Sequence, residues 1–167
     1  EGAAYYQSGT CAAGFACAGN AKKPCAWGTV KAMLGLGAIP CEERSPLVQQ
    51  AIDHGREFLL STDPATADYP RPSYARHTNR SWFKLGFPSA YVTDVLQNLE
   101  ALLGIGAGGD ARLQNAVRFV ISKQDERGRW ANDYAYHGKL WADIEAQGQP
   151  SKWVTLRACR VLKSLAA

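Results

Sequence analysis

One six-residue pattern occurs three times in this chain: Pro24-Cys25-Ala26-Trp27-Gly28-Thr29, Pro88-Ser89-Ala90-Tyr91-Val92-Thr93 and Pro150-Ser151-Lys152-Trp153-Val154-Thr155. The starts lie 64 and 62 residues apart. A period of that size marks a stacked structural unit, each copy burying its apolar side against the next.

Each copy of the pattern opens a helical stretch. The first helix is expected over about Cys25 to Leu36, stopped by Gly35 and Gly37. The second starts at Ser45-Pro46, a capping hydroxyl followed by a residue pre-shaped for a first turn. Its Leu47, Val48, Ala51, Ile52, Phe58 and Leu59 recur at helical spacing. A proline-rich loop follows, about Thr62 to Phe87. A third helix is expected over Ser89 to Leu103, a fourth from Asp110, and a fifth from Ser151 to near the end. A second loop spans Asp125 to Pro150. The repeat continues past the openings: Ser45 to Ile52 aligns with Asp110 to Val117, and Phe58-Leu59 with Phe119-Val120. The unit is therefore helix A, helix B, long loop, present two and a half times. No segment alternates with the period of a strand. The fold class is all-α, an array of antiparallel helix pairs over residues 24–167, preceded by a loop-like segment, 1–23.

Charge and composition narrow the function. A net charge of +4 is spread along the chain, and its densest cluster, Arg71, Arg76, His77 and Arg80, falls in the first long loop. That reads as a solvated loop or a site for a small anion, not a nucleic-acid surface. The longest apolar run, Ala32 to Cys41, is about half of what a bilayer requires. No signal peptide is visible, and the five cysteines form no CxxC pair, so reduced thiols and a cytoplasmic location are expected, with peripheral membrane contact compatible. The chain opens on Glu1 rather than Met, which leaves room for an upstream portion.

The stretch from Phe119 through Gln124 and Gly128 to Trp130 resembles the QW motif of terpenoid cyclases: aromatic, aliphatic, three residues, Gln, a spacer, Gly, any residue, Trp. The first repeat keeps Phe58-Leu59, has Asp63 where Gln would stand, and lacks Gly-x-Trp. Over roughly residues 24–165 the chain is similar to proteins built from prenyltransferase/squalene-oxidase repeats. These are the α/α-toroids of squalene and hopene cyclases and of protein prenyltransferase β-subunits, and the chain looks most like uncharacterised bacterial members. Trp82 to Pro88 and Gly138 to Arg157 carry the closer likeness. The resemblance implies an α/α-toroid with an aromatic-lined hydrophobic cavity for an isoprenoid or other hydrophobic small molecule. A closed toroid needs more helix pairs than two and a half, so a partial toroid is expected, completed by a missing N-terminal half or by homo-oligomerisation.

Candidate site residues follow. Asp94 is expected one turn into the third helix, opposite its leucine stripe, as a general acid or cation-stabilising group. The DxDD motif of protonating cyclases is absent; Asp143-Ile144-Glu145 is the nearest acidic pair. Trp27, Tyr91 and Trp153 hold one repeat position each, as cavity walls able to face a cation or as repeat packing. Tyr134, Tyr136, His137 and Lys139 lie in the second loop, where they line a pocket mouth or plain surface. Protein prenyltransferases hold zinc through Asp, Cys and His; here Cys11, Cys17, Cys25 and His77 are the nearest set, though no Asp-x-Cys occurs. The alternative is a non-catalytic helical-repeat module that binds a lipid, peptide or protein.

Overall fold

A computed structural model describes residues 20–166. Its helices are α1 (Ala26–Gly37), α2 (Pro46–Leu59), α3 (Val95–Gly104), α4 (Gln114–Ser122) and α5 (Lys152–Leu165). Helix α1 packs on α2 and α3, and α3 packs on α4 and α5. The three A helices therefore neighbour one another with α3 in the middle. Val95, Leu96, Leu99, Ala101 and Leu102 of α3 are buried, and so are its polar Gln97 and Asn98. No helix among the described residues is long and apolar enough to cross a membrane.

Three helices start where local chemistry places them. Ser45 accepts the Val48 N–H at the head of α2, with Pro46 in the first turn. Ser151 accepts the Val154 N–H at 2.9 Å to open α5. Helix α1 begins at Ala26 without a side-chain cap. The fourth helix starts slightly late. Asp110 caps a single 3-10 turn, Ala111–Leu113, by accepting the Arg112 N–H, and α4 continues from Gln114.

The third helix departs from expectation. Position for position, Ala26, Ala90 and Lys152 are equivalent, and α1 and α5 begin there. In the second copy Ala90 has φ +35° and α3 does not start until Val95, capped by Asp94. Side chains from elsewhere hold the unwound backbone. The Val92 N–H donates to the Tyr136 hydroxyl oxygen at 2.9 Å. The Val92 carbonyl accepts from Lys31 Nζ at 3.2 Å and Gln97 Nε2 at 3.1 Å. The buried Asn132 amide pairs with both the N–H and the carbonyl of Phe87, each at 2.9 Å.

The segment after α4 closes on itself and on α5. Gln124 and Trp130 form an isolated antiparallel bridge, and Gly128 turns the chain at φ +75°. The Trp130 indole N–H donates to the Val120 carbonyl at 2.7 Å, satisfying the end of α4, and its backbone N–H donates to Thr155 of α5 at 3.0 Å. A two-residue pair, β1 (Trp130–Ala131) antiparallel to β2 (Pro150–Ser151), continues this contact. Strands of two residues leave no alternation in a sequence, so their absence from a periodicity reading has a simple cause.

The first repeat holds a counterpart that its sequence disguises. The Tyr69 hydroxyl donates to the Leu59 carbonyl at 2.6 Å, ten residues back, as Trp130 does to Val120. Ala67 has φ +50° where the second copy has Gly128. An L-residue in that region costs about 1–2 kcal/mol. Ala67→Gly is therefore expected to stabilise the protein by about 0.5–1 kcal/mol, the relief being partly offset by glycine's unfolded-state entropy. Urea unfolding measures it, and a lower midpoint in the variant contradicts the assignment.

Candidate functional site

A cleft of about 310 Å³ opens between the start of α1 and the first long loop. This is at the lower end of ligand-pocket volumes. Trp27, Tyr69, Tyr74, Trp82 and Tyr91 supply aromatic walls, and Arg71 and His77 supply the basic ones. Trp27 meets Tyr91 edge-on at 5.7 Å, and Tyr69 meets Trp82 edge-on at 5.4 Å, both in the range where aromatic pairs attract.

The loop that forms the outer wall is tied down along its length. Asp63 caps a turn through the N–H groups of Ala65, Thr66 and Ala67. The buried Trp82 indole donates to the Pro64 carbonyl at 2.9 Å. Thr78 donates to the Ala67 carbonyl at 2.9 Å, and Arg71 pairs with Asp68 while its Nε donates to the Ala75 carbonyl at 3.0 Å. Lys23 and Asn20, ahead of α1, donate to the carbonyls of Arg71 and Pro70. A wall held by so many unrelated contacts is a preformed surface, which lowers the ordering cost of binding.

The predicted residues divide. Trp27, Tyr91, Cys25 and His77 line the cleft together. Trp153 lies apart, stacked on Phe87 at 5.2 Å and 38% exposed. Tyr134 packs edge-on against Tyr136, His137 pairs with Asp143 at 3.0 Å, and Lys139 is exposed; none of the three lines the cleft. Tyr136, from the same loop, does not line the cleft either but contributes indirectly by holding Val92 beside Tyr91. Tyr69 and Trp82 were unforeseen. The available signal for Tyr69 was its spacing from Leu59, the same as that of Trp130 from Val120. Cys11 and Cys17 lie outside the described residues. Among the described residues no three His, Cys, Asp or Glu groups come together to hold a metal, so Cys25 and His77 alone do not make a zinc site.

Asp94 is at the helix end rather than one turn in, and it is not in the cleft. One carboxylate oxygen accepts the Gln97 N–H at 2.8 Å and the other the Gly86 N–H at 3.2 Å. Arg157 of α5 stands 4.0 Å away, clamps Glu100 through two bonds of 2.7 and 2.8 Å, and donates to the Gly86 carbonyl at 3.1 Å. Lys31 of α1 reaches the same region from the other side, bonding Gln97 and the Val92 carbonyl. Lys31 and Arg157 occupy equivalent repeat positions, seven residues after Pro24 and Pro150. The cluster thus joins all three A helices through polar contacts.

Burial pushes the Asp94 carboxyl pKa up, opposed by Arg157 and by the N–H groups of Gln97 and Gly86. Burial pulls the Lys31 ammonium down, opposed chiefly by Asp94. The folded protein therefore holds the Asp94 proton at pH values where the unfolded chain has released it. Stability from this group is greatest at low pH and falls as pH rises through the folded pKa. Asp94→Asn keeps a capping oxygen for Gln97 and removes the titration. As pH rises above the ordinary carboxylate range, its stability is expected to fall less than the parent's, read by urea unfolding. Parallel pH profiles would contradict this.

Against known protein families, curated proteins and solved structures, the chain matches none.

Proposed function

We propose that this chain is a non-catalytic helical-repeat module of the α/α-toroid kind, holding an apolar isoprenoid-type chain in the Trp27–Tyr91 cleft. The convergence of five aromatic rings, Trp27 of α1, Tyr69, Tyr74 and Trp82 of the first loop and Tyr91 of the segment before α3, carries the reading. Adjacent A helices, with α2 and α4 packed on α1 and α3, support the toroid-type arrangement. The acid needed for alkene protonation is the weak point of a cyclase reading. Asp94 is buried, has both oxygens bound by backbone donors and lies outside the cleft. Binding by apolar contact then requires no reacting group, and the aromatic walls supply the main attraction.

Titration with farnesol, followed by intrinsic tryptophan fluorescence, tests this. Saturable binding is expected, weakened about tenfold or more by Trp27→Ala and little changed by Trp153→Ala. The farnesol should be recovered unaltered. No saturable change, equal loss in both variants, or conversion of the alcohol would each reject the proposal.

A further inference from the structure

The segment from Ser89 to Asp94 carries two helix starts, and the structure uses only one. Asp94 caps α3 by accepting the Gln97 N–H. Five residues earlier stands Ser89, equivalent to Ser151, which caps α5 by accepting the Val154 N–H. The residue after each serine, Ala90 or Lys152, is the first of the helix in the third copy but sits at φ +35° in the second. We propose that residues 89–94 form a two-state element, in which α3 either starts at Val95, as seen, or extends back to Ala90 with Ser89 as its cap.

Each backbone group of Val92 and Gln97 that loses a side-chain partner gains a capping or helical one, which is what makes two states of similar stability attainable. In the long form the Val92 N–H leaves the Tyr136 hydroxyl for Ser89 Oγ, as Val154 uses Ser151. The Val92 carbonyl leaves Lys31 and Gln97 for the Leu96 N–H of the next helical turn. The Gln97 N–H leaves the Asp94 carboxylate for the Thr93 carbonyl. Four side chains, those of Tyr136, Lys31, Gln97 and Asp94, lose their roles, and five residues gain helical bonds. Winding also shortens the segment, so the Asn132 amide must release Phe87.

The consequence falls on the cleft. Tyr91 is 78% exposed and sets its ring against Trp27 only because the segment is unwound. Winding carries Tyr91 onto the helix and removes one wall. The short form is thus the ligand-competent state, and the long form closes the site by dismantling it. This regulation rests on the proposed cleft, but the two states are detectable without any ligand.

Opposite substitutions at Ala90, which does not line the cleft, separate the states. Ala90→Gly suits φ +35° and should hold the short form. Ala90→Pro forbids positive φ and is pre-shaped for the first turn of the long form. Hydrogen exchange of the ligand-free proteins should show the Asp94, Val95 and Leu96 amides protected about tenfold or more in Ala90→Pro relative to Ala90→Gly, because only the long form gives them intrahelical acceptors. Equal exchange in two folded variants overturns the proposal. If Ala90→Pro does not fold, NMR relaxation dispersion at Val92 and Asp94 decides. Exchange in the parent that Ser89→Ala and Ala90→Gly both quench supports two states; its absence in the parent, or its persistence in both variants, rejects them. Farnesol binding then reports separately: a long-form variant that still binds as the parent does refutes the cleft, not the switch.

Discussion

Gly86→Ala is expected to destabilise the protein by about 3 kcal/mol or more, a large part of the stability of a marginal domain. A Cβ on Gly86 would stand 2.3 Å from the Tyr134 carbonyl oxygen, a backbone atom that no side-chain rotation can move aside. Nor can the strand of chain carrying Gly86 shift. Its neighbour Leu85 receives the Asp133 N–H at 2.8 Å, and Phe87 is paired twice with Asn132. The glycine's own N–H and carbonyl are bound by Asp94 and Arg157. Urea unfolding of the variant measures the effect. A loss under about 1 kcal/mol would mean that the two loop segments approach less closely than described.

Trp130→Ala is expected to cost about 3–5 kcal/mol, since the ring is 1% exposed and a cavity remains at the junction of α4, β1 and α5. Trp130→Phe separates packing from hydrogen bonding. It keeps much of the ring and removes the indole donor, leaving the Val120 carbonyl the Lys123 N–H at 3.2 Å, for a loss of about 0.5–1.5 kcal/mol. The equivalence of the two clips adds a check. Tyr69→Phe removes the donor to the Leu59 carbonyl, so its cost should be at least the hydrogen-bond part of the Trp130 effect. Chemical unfolding of the three variants gives these numbers. A Trp130→Phe protein as stable as its parent would show that the indole bond does not close the repeat.

Structure was legible where the repeat residues act on their own next turn. Ser45-Pro46 and Ser151 act through their own next turn, so α2 and α5 begin within a residue of expectation. The start of α3 was not legible. Its opening has the same local chemistry as α5, and what unwinds it comes from Lys31, Tyr136 and Asn132 on other segments, together with Gln97 of α3. No local pattern reports such partners. The first clip was hidden for a different reason: Ala67 and Tyr69 do the work of Gly128 and Trp130 with other residue types. Of the cleft, Trp27 and Tyr91 were visible because they repeat, and Arg71 and His77 because they belong to the densest basic cluster. Tyr69 and Trp82 were not, because only the folded loop returns them to the start of α1. Asp94 reads in the sequence as an acid one turn into the third helix; neither its place as the cap of α3 nor its setting at the junction of three helices was legible.

The claim that these walls form a ligand site is tested most directly by mapping a bound ligand onto the backbone. In two-dimensional amide spectra, added farnesol should shift Ala67, Thr78, Asn79 and Tyr91 in a saturable way while the exposed residues of α5 from Leu156 onward stay in place. Shifts centred on Trp141, Trp153 and Leu156, which are exposed apolar residues outside the cleft, would contradict the account, as would spectra that do not change.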